Sequence, residues 1–244
     1  MLFRSGLVGR GLSGNGYGLV GFGASAATSP APGFVRSIPV GGGQFGTAPA
    51  FTAASAGLVI NGSFEDGYAA INLANSYTAR PGAARNYVLV TDEDRDVTAS
   101  LGLNSTSILN SMKSTGTLLN AVVDATFKCG DGSAALGLSS GGKGYKADGA
   151  GGFITCGGAS FVSGFGATGV DYVDLALATG GAAWNLNVLR AGGLGAASFT
   201  KAFVDVKVAE ISITPSIPEP STYALMAAGL GLMGTIARRR RPQS

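Results

Sequence analysis

Between residues 57 and 214 the sequence predicts an all-β fold, an antiparallel β-sandwich, and three observations carry that prediction. Short apolar runs rich in β-branched residues are separated by glycine and polar turns. Glycine is abundant, at 41 of 244 residues, and only 13% of residues are charged, a balance that suits a β-rich extracellular protein with many tight turns. A 3.6-residue apolar period is rare before the C-terminal tail. The length suits one domain with tails, enough for one full core.

The predicted strands are Leu58 to Ile60, Asn86 to Thr91, Leu118 to Lys128, Gly152 to Cys156, Val170 to Ala178, Trp184 to Leu189 and Phe199 to Ile213. Around Ser105 to Leu119 a helix competes with a strand. In Trp184-Asn185-Leu186-Asn187-Val188 the apolar residues alternate with asparagines, which places Trp184, Leu186 and Val188 on a core face and makes Trp184 a core residue rather than a sugar platform. In the last strand Val204, Val206 and Val208 share a face against Asp205 and Lys207. Ile211 and Ile213 fall out of phase with them, so a bulge between Val208 and Ile211 is needed to return both sets to the core.

Residues 1–56 are expected to be disordered, a degenerate leader with no fold of its own. They carry Arg4, Arg10 and Arg36, but glycine and proline interrupt every apolar run, so no clean signal peptide is present. The nearest apolar core is Gly18 to Ala27, and Ala54-Ser55-Ala56 offers a small-residue cleavage site. The expectation is that the authentic leader is lost or scrambled upstream of about residue 50. The glycines at 14, 16, 18, 21 and 23 lack the preceding strand, following helix and later acidic residue of a phosphate-binding loop, and read as a linker.

The tail is the most specific part of the chain. Ile217-Pro218-Glu219-Pro220-Ser221-Thr222 leads into an apolar stretch from Tyr223 to Ala237, and then into Arg238, Arg239, Arg240 and Arg241. The prolines hold residues 215–222 extended and open to an enzyme. As a helix the apolar stretch spans roughly 22 Å, short of a full crossing, but the arginine stems can snorkel at one end and Ser221 to Tyr223 can sit in the other interface. The single transmembrane helix and basic tail therefore occupy 223–244, with the arginines cytoplasmic and everything before them facing outward.

These three parts in this order resemble the PEP-CTERM sorting signal of Gram-negative bacteria. The resemblance implies recognition by an exosortase, a membrane-embedded cysteine transpeptidase that cleaves near Pro218-Glu219-Pro220 and transfers the protein to an outer-surface or matrix component. Pro218, Glu219 and Pro220 are then substrate residues. The protein is held in the inner membrane before processing and is at the cell surface or extracellular afterwards. Leu58-Val59-Ile60-Asn61-Gly62-Ser63-Phe64-Glu65 resembles the opening strand and turn of jelly-roll domains of exported bacterial proteins. This second resemblance makes the predicted sandwich jelly-roll-like and implies weak carbohydrate binding, with exopolysaccharide as a partner.

Composition excludes several activities. The chain contains no histidine, which removes Ser-His-Asp triads, imidazole acid/base catalysis and His-ligated zinc. The four tail arginines supply more than the whole net charge of +3, leaving the remainder slightly acidic and a nucleic-acid partner unexpected. Cys129 and Cys156 are expected to pair in an exported chain, closing a loop of about 26 residues at a gain of roughly 3 to 4 kcal/mol.

Gly137-Leu138-Ser139-Ser140-Gly141 fits a nucleophile-elbow pattern but has no histidine to activate Ser139 and no strand-to-helix turn. Asp92-Glu93-Asp94-Arg95-Asp96 offers oxygen ligands without the spacing of a calcium loop, and reads as a solvated turn. No metal or cofactor is expected. Two functions remain: a non-enzymatic surface or extracellular-matrix protein, and a secreted carbohydrate-active enzyme with paired carboxylates such as Asp171 and Asp174. The first is favoured because no acid/base constellation is recognisable and there is one tryptophan.

Overall fold

The computed structural model describes residues 7, 9–12, 14–23, 31–58 and 64–213. Along the chain, β1 (Leu19–Gly21) and β2 (Arg36–Ile38) precede α1 (Ala48–Ser55) and α2 (Gly67–Asn75). Then come β3 (Asn86–Thr91), α3 (Ser105–Ser114), β4 (Leu118–Val123), β5 (Ala125–Lys128), β6 (Ala134–Ala135), β7 (Gly137–Ser139), β8 (Lys143–Ala147), β9 (Phe153–Cys156) and β10 (Ser160–Gly164). A π-helical turn (Gly169–Val173) runs into α4 (Asp174–Ala178), and β11 (Ala182–Asn185), α5 (Leu186–Ala191) and α6 (Gly193–Ile213) follow.

The main sheet has six strands in the order β3-β4-β11-β7-β8-β9. β4 pairs in parallel with β3 and β11, and the remaining pairs are antiparallel. Near-continuous burial along β4 and β11 explains why their sequences do not alternate: strands covered on both faces need apolar residues on both. Leu119, Ala121 and Val123 face one layer, made of Tyr68 and Ile71 from α2, Ile108 and Met112 from α3, and Tyr172, Val173, Leu175 and Ala176 around α4. Val122, Ala182 and Trp184 face the other, where Phe199, Ala202, Phe203 and Val206 of α6 close the core. A smaller antiparallel sheet, β10-β5-β6, adjoins this framework.

The β-rich character predicted from the sequence is present, but the wholly antiparallel arrangement is corrected to a mixed sheet with helices on both faces. Three predicted strands change identity. Phe199 to Ile213 is helical, because its buried residues Phe199, Ala202, Phe203, Val206 and Glu210 recur at helical spacing. Val170 to Ala178 is helical for the same reason, with Tyr172, Val173, Leu175 and Ala176 buried. Trp184 and Asn185 are in a strand, but Asn185 then accepts from the amides of Asn187 and Val188 and starts α5. Leu118 to Lys128 divides at Asp124 into β4 and β5, which join different sheets. At Ser105 to Ser114 the helix wins, through a reciprocal capping box between Asn104 and Ser107.

The expectation of disorder through residue 56 is corrected for the described residues of that stretch. β1 pairs with β2, Val40 is fully buried and Val35 nearly so, and Tyr77 donates to the Leu19 carbonyl at 2.9 Å while its hydroxyl meets Ser37 at 2.5 Å. These contacts fasten the segment to the end of α2. Most of the Leu58–Glu65 motif behind the jelly-roll resemblance lies outside the described residues. So does the predicted span from Tyr223 to Ala237; among the described residues no helix is long and apolar enough to cross a membrane.

Candidate functional site

Cys129 and Cys156 form the expected disulfide, with Cα atoms 5.9 Å apart. It ties the end of β5 to the end of β9, and so joins the two sheets. Gly144 pairs with Cys156 across β8 and β9, and a Cβ at Gly144 would stand 2.6 Å from the Cys156 sulfur; only glycine leaves that space. Replacing both cysteines by alanine is expected to lower stability by about 2–4 kcal/mol, read as a lower urea midpoint with a steeper slope, because the unfolded chain without the cross-link exposes more surface.

The acidic run at 92–96 is spent on protein groups. Asp92 pairs with Arg190 at 2.8 Å, Asp94 accepts from the Ala167 amide, and Asp96 accepts from the Glu65 amide. Arg95 turns inward: its Nε donates to Asp66 at 2.8 Å, and its guanidinium lies 4.1 Å from the centre of the Tyr68 ring. Asp66 is completely buried. It caps α2 by accepting from the Tyr68 and Ala69 amides, and also accepts from the Thr98 amide at 3.0 Å. Burial opposes ionisation of Asp66, but the Arg95 and Thr98 donors outweigh it and hold the carboxyl below its usual range. Next to it, burial raises Glu65, despite the hydrogen bond from Thr91. Among the described residues no cluster of three acidic or cysteine side chains is placed to hold a metal ion.

Ser139 sits in β7 with its Oγ near the Tyr145 hydroxyl at 3.2 Å and the Lys143 carbonyl at 3.4 Å. It is a strand residue, as the missing strand-to-helix turn implied. Asp171 and Asp174 fall on successive turns of one helical segment, whereas carboxylates that cleave a glycoside approach it from two sides, about 5 to 9.5 Å apart. Burial raises Asp171. Trp184 is fully buried, in the core as expected.

A polar cluster that the sequence reading missed joins α6 to the sheet. Lys207 and Glu210 are 2% and 7% exposed. Lys207 Nζ lies 2.5 Å from Glu210 Oε2 and 3.0 Å from Asn86 Oδ1. Asn86 and Asn120 both donate to Glu210, and Asn120 Oδ1 accepts from the Trp184 indole. The available signal was a Lys and a Glu three residues apart with Val208 and Ala209 between them, the spacing of one helix face.

α6 ends at Ile213, and the sorting residues Pro218, Glu219 and Pro220 and the arginines 238–241 lie outside the described residues. Residues 216–241 match the family model of the PEP-CTERM protein-sorting motif. The chain carries a PEP-CTERM sorting motif. The match includes the Pro-Glu-Pro tripeptide, the apolar stretch and the four arginines, and it supports export and sorting by an exosortase. The motif begins just after α6. No curated protein and no solved structure matches the chain.

Proposed function

We propose that this protein is exported, held briefly in the inner membrane by its tail, and cleaved near Pro218-Glu219-Pro220 by an exosortase that delivers the preceding domain to the cell surface or extracellular matrix. The match of the sorting motif to residues 216–241 carries this reading. Physical chemistry assigns the parts: the prolines present an extended backbone to the enzyme, the apolar stretch partitions into lipid, and the arginines hold its end on the cytoplasmic side. In this reading the displayed domain is non-catalytic and sits among exopolysaccharide with weak carbohydrate affinity. Its disulfide suits an oxidising compartment.

Mass spectrometry of surface and membrane fractions from hosts with and without the exosortase tests the proposal. The expected result is a surface form ending near Pro220 only where the enzyme is present. An intact chain ending after the arginines in both hosts would make the tail a plain anchor. Retention of the cleaved form on the exopolysaccharide of the same host, released by free polysaccharide, tests the carbohydrate part; a form that never binds it would remove that part alone.

A further inference from the structure

The cluster between α6 and the sheet has the composition of a reactive site. An ammonium only donates hydrogen bonds, so the Asn86 atom 3.0 Å from Lys207 Nζ is the amide oxygen, and the amide nitrogen is turned toward Glu210. That nitrogen donates to Glu210 Oε2 at 2.6 Å, the same oxygen that accepts from Lys207 at 2.5 Å. An amine, a carboxamide and a carboxylate therefore close a triangle, with the carbonyl carbon of Asn86 one bond beyond the oxygen that Lys207 touches. The Phe203 ring lies 5.3 Å from Nζ, and the Trp184 indole holds Asn120 behind the carboxylate.

We propose that Lys207 and Asn86 join in an intramolecular isopeptide bond, with Glu210 as the proton carrier. Glu210 takes a proton from the Lys207 ammonium, and the freed Nζ lone pair attacks Cγ of Asn86. The new C–N bond forms as the carbonyl electron pair moves to Oδ1. Glu210 gives its proton to Nδ2 and takes another from Nζ. As the carbonyl re-forms, the bond from Cγ to Nδ2 breaks and ammonia leaves. Of the five protons on the two nitrogens at the start, one stays on the new amide, three leave with neutral ammonia, and the fifth remains on Glu210, so the buried carboxyl is uncharged once its ammonium partner is gone. No oxidant, metal or cofactor is needed.

Physical terms favour the step. Aminolysis of an amide is slow between separate molecules, but here Lys207 Nζ is held 3.0 Å from Asn86 Oδ1, one bond from the carbon it attacks, and such positioning removes the entropy cost of bringing the two groups together. Burial lowers the Lys207 amine to about 8, against the attraction of Glu210, so roughly a tenth is neutral near pH 7. The product also replaces the buried Lys207–Glu210 ion pair with a neutral amide and a protonated carboxyl, neither of which needs a counter-charge.

The test is peptide mapping of the full chain, reduced and denatured after folding. The expected result is a branched peptide containing both Asn86 and Lys207, lighter than the two separate peptides by one ammonia, in essentially all of the folded wild-type protein. Separate unmodified peptides from folded wild type would overturn the proposal, and this reading needs no variant. In Glu210→Gln the branch is expected to be lost while circular dichroism keeps the wild-type helix and strand signal; a branch formed to the wild-type extent would overturn the role given to Glu210. Asn86→Ala, with the Lys207–Glu210 pair in place, is expected to abolish the branch, and a branch from Lys207 to another residue in this variant would overturn Asn86 as the acceptor. Both linked residues lie upstream of the sorting motif, so the result does not depend on whether the tail is cleaved.

Discussion

Arg95→Ala is expected to destabilise the domain by about 3–5 kcal/mol, because it strands a buried carboxylate. Asp66 is 0% exposed and the Arg95 side chain 6%, so the carboxylate loses its charged partner in a buried position. The same arginine also donates to the Leu103 carbonyl at 3.1 Å and covers the Tyr68 ring. Its removal therefore loosens the start of α2 and the loop before α3 together. Arg95→Lys keeps a charge but not the two-pronged donor, and is expected to fall between the two.

The pH dependence has a definite sign. A carboxyl held below its unfolded value of about 3.8 contributes stability that is complete above that value and is lost as pH falls through the lower folded value. The difference between wild type and Arg95→Ala should thus be greatest near pH 7, begin to shrink while pH is still above the unfolded value, as the buried and unpaired Asp66 of the variant takes a proton, and go on shrinking as pH falls toward the lower folded value of the wild type. Urea denaturation at several pH values reads this directly. A difference that stays constant from pH 7 to pH 3 would remove Asp66 as its cause.

Trp184→Ala is expected to cost about 3–5 kcal/mol through the cavity it leaves. The indole stacks on Tyr145 with ring centres 5.3 Å apart and meets Phe199 and Phe203 edge-on at 5.6 and 5.2 Å. These contacts hold α6 to the sheet. Amide exchange in α6 should therefore accelerate more in this variant than exchange in α3, which packs on the opposite face. Trp184→Phe retains a ring but leaves the Asn120 oxygen without the indole donor, and is expected to cost about 1–3 kcal/mol. Equal acceleration in α3 and α6 would mean that Trp184 does not act through the α6 layer.

The tail motif, the disulfide and the strands Asn86–Thr91 and Phe153–Cys156 could be read from the sequence because each is a local signal: fixed order, two cysteines, or a compact run bounded by turn residues. α6 could not be read the same way. Val204, Val206 and Val208 alternate as strand residues do, yet the burial of Phe199, Phe203, Val206 and Glu210 follows the helical repeat. The phase break at Ile211, which needed a bulge to explain as a strand, is natural in a helix. The parallel pairing of β3 with β4 was invisible for a different reason. It depends on α3 crossing between them, and the residues from Ser105 to Leu119 suit a helix and a strand about equally well when read alone. The Asn86–Lys207–Glu210 cluster joins residues more than a hundred positions apart, beyond any local pattern.

The place where α6 ends has a mechanical meaning. If the protein is handled or held by its tail, tension enters the folded domain at Ile213, one turn beyond Glu210 and two beyond Lys207. Those two side chains grip β3 and β4, so load that reaches α6 passes directly into the main sheet. Peeling the last described turns of α6 is then resisted by charged and amide groups anchored on two neighbouring strands.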